Sequence, residues 1–328
     1  MRTLITLDYE IFFGPRTGTL SRTLLEPTRA LLRVADKHQA RCVFFVDAGY
    51  ILRMRDEMRR ARELRGDYDA VCRQVEDLAR AGHEVQLHIH PHWEDSRWTG
   101  NGWQMDTSRY ALHSFAPHEI NDIVMRYTGI LREIAGPQSA YAYRAGGWVI
   151  QPFHKLRRSL AQAGITIDST VYAGGRSEGT VQPFNFEGAP GKSRWRFDAD
   201  PLVEVEDGAF LEVPIASRRL KPDFFWRLAW AKKVGGNQHR AFGDGAPIAM
   251  EKGDMLRKLM KPTTSVVSID GYKASFLADA ADDYRARGLE DFVVIGHPKA
   301  LSPYSLERLD DFLASKRGGE VTTFAAYH

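Results

Sequence analysis

The feature that most constrains this chain is a repeated local order: an amphipathic helix, a glycine, then a short apolar strand. Val71, Val75, Leu78 and Ala79 recur at helical spacing, Gly82 follows, and His83–Leu87 reads as a strand. Phe153, Leu156, Leu160 and Ala163 lead through Gly164 to Ile165–Ile167, and Ala278, Ala281 and Tyr284 lead through Gly288 to Phe292–Ile295. A glycine after the last helical turn adopts the left-handed conformation that turns the chain back toward a sheet. Leu4–Leu7 and Val43–Val46 add two early strands, with a helix over 26–38 between them. Short apolar strands alternating with helices of this length predict parallel βαβ units, and so an α/β protein.

Several stretches break the pattern. Trp93–Phe115 is rich in Trp, Gly, Asn and Asp and has no clear period. Gly174–Val213 carries GGRSEG and several prolines, then alternating stretches at Leu202–Val205 and Phe210–Val213 that predict a hairpin-containing insertion. Gly235–Pro247 reads as a mobile loop. No long linker divides the chain, so residues 1–328 are expected to form one elaborated domain with insertions near 93–115 and 174–247.

Charge and cysteine usage narrow the class. The chain has 45 Lys+Arg against 42 Asp+Glu, a formal +3, without the basic excess of a dedicated nucleic-acid binder. The densest basic run, Arg53–Arg65, is interleaved with Asp56, Glu57 and Glu63 and reads as a solvated helix with internal ion pairs. Cys42 and Cys72 fit no metal-ligand spacing and suit a reducing compartment. The N-terminus enters a strand with no leader pattern, and no apolar run approaches the roughly 18 residues of a membrane span. A soluble, cytoplasmic protein is expected.

In parallel sheets, ligands bind beyond the carboxyl ends of the strands, and here those ends carry reactive side chains. Asp8, Tyr9 and Glu10 follow the first strand, and His88, His90 and His92 follow Val85–Leu87. Arg144 follows Ala140–Tyr143, Asp168 follows Ile165–Ile167, Asp270 follows Val266–Ile269, and His297 follows Phe292–Ile295. His88 and His92, four apart, fit one face of a helical turn and offer two nitrogens to one metal, with His90 pointing the other way. Asp8 and Glu10, two apart on a strand, share a face and can reach the same site. Imidazole with carboxylate suits zinc, and also cobalt, nickel or iron. Trp93, Trp98, Trp103 and Trp148 lie near these motifs, as sugar-stacking faces or as packing beneath their own loops. Gly175–Gly179 matches GxSxG, with Asp270 and His297 following in the order of a serine esterase. The helix such a nucleophile turn needs after it is not signalled.

The segments LITLDYE, GHEVQLHIHPHW, YRAGGW and VVIGHPK resemble, in order and context, the motifs of the polysaccharide deacetylases, the NodB-homology hydrolases of carbohydrate esterase family 4. The likeness is nearest to the subgroup associated with O-antigen and surface-polysaccharide biosynthesis, and runs roughly from Thr3 to Pro298 outside the irregular regions. It implies a distorted parallel (β/α) barrel with loop and hairpin insertions, and a metal-dependent carbohydrate N-deacetylase. Matched residue by residue, it implies Asp8 as general base, with Arg144 pairing with it. Glu10, His88 and His92 become the ligands of a divalent metal, zinc foremost. His297 becomes the general acid, oriented by Asp270. Trp148 becomes the aromatic wall of the pocket, and Trp93 and Tyr9, adjacent to the motif residues, are expected beside it as substrate contacts.

The chain departs from the family pattern at two places. Asp8 and Glu10 straddle Tyr9 where the family has adjacent aspartates, which leaves open which carboxylate binds the metal. Gly146 stands where a proline is usual after the arginine. The implied partner is an amino-sugar small molecule or glycolipid in a surface-polysaccharide or lipopolysaccharide precursor, with no nucleic acid and no membrane span. The alternatives are a non-catalytic sugar-binding protein on the same scaffold, the GxSxG serine esterase, and a cyclic-amide hydrolase of the same superfamily.

Overall fold

The computed structural model describes residues 1–247 and 252–328, and the backbone gathers into two units, Met1–Cys42 with Ile215–Thr323, and Val43–Pro214 with Phe324–His328. The chain opens the first unit with β1 (Arg2–Tyr9) and α1 (Glu26–Lys37). It then builds the second through β2 (Val43–Asp47), α2 (Ala48–Glu57), α3 (Leu64–Arg80), β3 (Glu84–Ile89), β4 (Arg97–Trp98) and β5 (Trp103–Gln104). That unit continues with α4 (Pro117–Ala135), β6 (Ala142–Ala145), α5 (Arg157–Gln162), β7 (Ile167–Asp168), β8 (Arg176–Ser177), β9 (Phe184–Asn185), β10 (Trp195–Phe197) and β11 (Phe210–Glu212). The chain returns to the first unit with β12 (Ser217–Leu220), α6 (Pro222–Val234), α7 (Gly236–His239), α8 (Lys252–Met260) and β13 (Thr263–Val266). It closes that unit with α9 (Leu277–Ala286), β14 (Asp291–Gly296), α10 (Pro303–Ser315) and β15 (Glu320–Thr322).

In the first unit β1 pairs in parallel with β14, from Arg2↔Asp291 to Leu7↔Gly296, and its first residues pair with β15. Ile215 and Ser268 bridge in parallel to Val293 and Ile295 of β14. Strands covered on both faces carry apolar runs rather than alternation, and Leu4, Ile5, Leu7 and Phe292–Ile295 are all buried. Thr6 is buried among them, its hydroxyl donating to the Val294 carbonyl at 2.8 Å. In the second unit β2, β3, β6, β7 and β11 follow one another in parallel register, and β10 joins β11 antiparallel. The glycines expected to end helices, Gly82, Gly164 and Gly288, have φ of +82°, +75° and +69°. Among the described residues no helix is long and apolar enough to cross a membrane.

Three local expectations need correction. The strand paired with Phe210–Glu212 is Trp195–Phe197, not 202–205, where Val203 is 55% exposed. Aromatic packing decides this: Phe197 and Phe210 stack at 5.6 Å and both meet Phe153. The basic run 53–65 is not one helix, because α2 ends at Glu57 and α3 begins at Leu64. Buried Glu57 takes Arg60 at 3.4 Å, while Arg53 donates to the Ser96 and Glu94 carbonyls at 2.5 and 3.1 Å. The stretch 235–247 is tied down rather than loose: Asp244 accepts from Thr19 N–H and Oγ1 at 2.8 and 2.9 Å, and Gly243 N–H donates to the Lys299 carbonyl at 3.1 Å.

The β7–β11 register places Glu212 opposite Asp168, and both side chains are buried. Asp168 accepts from Thr170 Oγ1 and N–H at 2.8 and 3.1 Å, and Glu212 accepts from Val171 N–H at 3.2 Å. Burial pushes the Asp168 carboxyl up, and burial together with the neighbouring Asp168 pushes Glu212 well above the usual carboxylate range. Two desolvated carboxyls at this distance favour holding a proton between them. Both groups have folded-state values above the unfolded ones, so the stability they contribute is complete at low pH and is lost as pH rises. In urea unfolding at pH 5 and pH 7.5, Glu212→Gln should gain on the wild type by about 1–3 kcal/mol toward the higher pH. A difference that does not change with pH would mean the pair holds no such proton.

Candidate active site

In the first unit the end of β1 and the end of β14 lie side by side, because Leu7 pairs with Gly296. This register brings Asp8 and Glu10, both buried, level with His297. Asp270 grips His297 twice: Oδ1 accepts its backbone N–H at 2.8 Å, and Oδ2 lies 2.8 Å from ring Nδ1. The Asp270 backbone N–H is itself held by Ser268 Oγ at 3.0 Å. With Nδ1–H committed to a carboxylate, Nε2 faces Asp8 Oδ2 at 3.7 Å and Glu10 Oε1 at 3.8 Å. Burial alone would lower the pKa of His297, but Asp270, then Asp8 and Glu10, outweigh it and hold it above that of an ordinary imidazole. Burial works to raise Asp270, yet His297 and Lys273 keep it below the usual carboxylate range.

Lys299, two residues beyond the histidine, was not anticipated. Its ammonium donates to Glu10 Oε1 at 2.8 Å and to the Ile11 carbonyl at 2.7 Å, and lies 5.2 and 4.8 Å from the Phe12 and Phe13 ring centres. A buried ammonium paired with a carboxylate and bounded by aromatic faces fixes that carboxylate in place.

In the second unit Asp47, His88 and Arg144 stand in one register row across β2, β3 and β6. His88 Nδ1 lies 2.8 Å from the Arg144 carbonyl, which only accepts, so Nδ1 carries the proton and Nε2 the lone pair. That Nε2 is 3.0 Å from His90 Nε2, the two rings meeting edge to face at 4.7 Å. His90 was expected to point away. It faces His88 because the strand period of two continues through Ile89, where the sequence reading had assumed a helical turn. His92 lies within a 3₁₀ turn over Pro91–Glu94, its ring stacked on Tyr110 at 5.5 Å and on Trp93 at 5.4 Å. Gly146 also has a reason here: a Cβ at this position would come within 2.6 Å of the His90 ring. The fully buried Arg144 donates from Nε to the Ser169 carbonyl at 2.7 Å and from Nη2 to Ser169 Oγ at 3.1 Å, its guanidinium 4.1 Å above the Phe45 ring.

The aromatic expectations fare unevenly. Trp93 is 1% exposed, wedged between Tyr50 and Trp103, with its indole N–H given to Asp47 Oδ2 at 2.6 Å. It is a packing residue that fixes Asp47, not an open stacking face. Tyr9 is also buried, and as the residue between Asp8 and Glu10 it alternates to the opposite face of the strand. Trp148 is half-buried against Tyr172 and Phe184 and has a φ of +62°, a strained conformation for a bulky residue. Ser177 lies in the short antiparallel pair β8–β9 and not between a strand and a helix, so the nucleophile turn of a serine esterase is not built.

No family model matches the sequence, and no curated protein does so either. Among solved structures, one from Mycobacterium smegmatis, provisionally named a polysaccharide deacetylase, is 18% identical with a TM-score of 0.52. The match covers 98% of this chain and 85% of that one. The PuuE allantoinase is 13% identical at a TM-score of 0.48, over 98% of this chain and 85% of its own. A family 4 carbohydrate esterase from Streptomyces lividans, solved with acetate, is 12% identical at 0.40, over 98% and 91%. The first of these likenesses shows the fold: α/β, with the distorted parallel (β/α) barrel of the polysaccharide deacetylase type.

Proposed function

We propose that the chain is a metal-dependent carbohydrate N-deacetylase that removes an acyl group, acetyl in the first instance, from an amino sugar in a surface-polysaccharide precursor. The observation that carries this reading is the His297 imidazole, gripped by Asp270 at both its backbone and ring nitrogens while Nε2 faces Asp8. A raised-pKa imidazole opposite a carboxylate is an acid and a base separated in one site.

The donor chemistry of the chain fits a divalent metal such as zinc. His88 has its proton fixed on Nδ1 by the Arg144 carbonyl, which leaves Nε2 as donor. His88, with His90 or His92 beside it and Glu10 as the carboxylate implied by the resemblance, would hold the ion. A bound divalent cation supplies Lewis acidity to an amide carbonyl and acidifies water. Asp8 takes a proton from the attacking water as the water oxygen bonds to the carbonyl carbon. His297 then passes its Nε2 proton to the amide nitrogen as the C–N bond breaks, which releases the free amine and the carboxylate. Asp270 holds the imidazole in the tautomer that points Nε2–H at the leaving group. Arg144, pinned by Ser169, is the residue that the resemblance gives as the partner of the base.

Asp8→Asn and His297→Ala should each lower kcat by about 10²–10⁴-fold, with circular dichroism and melting temperature unchanged; near-normal turnover in either would remove that residue from the reaction. By elemental analysis, His88→Ala and Glu10→Ala should lose bound zinc. Loss in His90→Ala with retention in His92→Ala makes the facing imidazole the ligand, and the reverse returns the assignment to the HxxxH spacing. A panel of N-acetylated nucleotide sugars and lipid-linked amino sugars, assayed for acetate with and without zinc, tests the reaction itself. Zinc-dependent release from a member of the panel is expected, and no release from any of them overturns the deacetylase reading.

A further inference from the structure

In the first unit α6 and α8 present an apolar surface to solvent. Trp226, Trp230 and Val234, four residues apart on α6, are 60%, 69% and 52% exposed, and Leu256 and Met260, four apart on α8, are 57% and 67% exposed. The orientation of α6 is fixed from its other side, where Phe225 and Ala231 are buried and Phe224 meets Phe276 and Tyr272 at 5.3 and 5.7 Å. The Trp226 indole N–H donates to the Leu259 carbonyl at 3.2 Å and joins the two helices. Scattered apolar residues on a surface are ordinary, whereas two tryptophans, a methionine, a leucine and a valine on two joined helices are a docking face.

The charge around this face indicates its partner. Lys221, Arg227, Lys232, Lys233 and Lys261 are exposed on or beside the same helices. Residues 219–261 contain ten Lys and Arg against four Asp and Glu, a formal +6, while the whole chain carries +3, so the remainder nets −3. The positive excess of the sequence thus falls in the segment that carries the exposed tryptophans. On the helix surface Arg227 and Lys233 flank the tryptophan row on opposite sides, and Arg227 also lies 3.7 Å from the one acidic side chain of α6, Asp223, at the start of that row. Indole rings ringed by lysine and arginine match the interface of an anionic bilayer, where the rings enter the headgroup layer and the cations meet lipid phosphate. A second copy of the chain seated on this face would instead oppose like charges.

We propose that the α6–α8 face docks the protein on an anionic membrane surface, in a peripheral mode that crosses no bilayer. The test is flotation of the full-length protein with vesicles of phosphatidylcholine alone or mixed with phosphatidylglycerol. Binding is expected only with phosphatidylglycerol present, and raised salt should release it. Trp226→Ala/Trp230→Ala and, separately, Lys232→Glu/Lys233→Glu should each reduce the bound fraction at least about tenfold, at an unchanged melting temperature. Failure to float with anionic vesicles, or equal flotation of the charge-reversed protein, would overturn the proposal. So would a dimer in light scattering that the tryptophan variant converts to monomer, because the face would then belong to a second copy.

Discussion

Parallel pairing of β1 with β14 is the constraint on which the first unit depends. With Leu7 opposite Gly296, the residues that follow each strand emerge at the same edge, and the Asp8 carboxylate and the His297 imidazole, from opposite ends of the sequence, meet without any loop having to carry them there. The strands are mostly apolar because both faces are covered, so the ionisable groups lie at the ends. Rigid strands, more than mobile loops, therefore set the spacing of Asp8, Glu10 and His297.

Around both clusters, buried polar groups are compensated in chains. Ser268 holds Asp270, and Asp270 holds His297; Lys299 holds Glu10. In the second unit Ser169 bridges outward as well, receiving Arg144 and donating its own hydroxyl to the Val213 carbonyl at 2.8 Å, next to Glu212. A desolvated charge is costly unless its partners are fixed, and each of these partners is itself anchored to backbone. The result is two clusters of candidate side chains with little rotamer freedom.

Much of this was legible in the sequence, and the failures have physical causes. Asp8, Glu10, Asp270 and His297 stand out because each follows an apolar run, and a run buried on both faces is hard to mistake. His90 was misplaced because HxxxH suggests a helical period, whereas the chain is still a strand at Ile89. Glu212 sits in an alternating stretch where a carboxylate reads as solvent-facing, and only the register with Asp168 reveals a buried pair. Lys299 carries no sequence signal, since its partner Glu10 lies at the other end of the chain. The apolar residues of α6 fall on all sides, which hides the difference between the face that packs on Phe276 and the face that carries the exposed tryptophans.

The interleaving of the two units along the chain has a consequence for synthesis on the ribosome. Residues 43–214 form a continuous block whose strands pair with near neighbours, so nearly all of the second unit emerges before the bulk of the first. β1 is made before every strand of the second unit, yet its pairing with β14 and β15 must wait until the end of the first unit has been made. During that interval the edge of β1 that β14 covers is unpaired, a condition under which nascent chains aggregate or recruit chaperones. The residues bearing the proposed acid and base thus come together among the last, and a truncated product would lack the pairing that joins them.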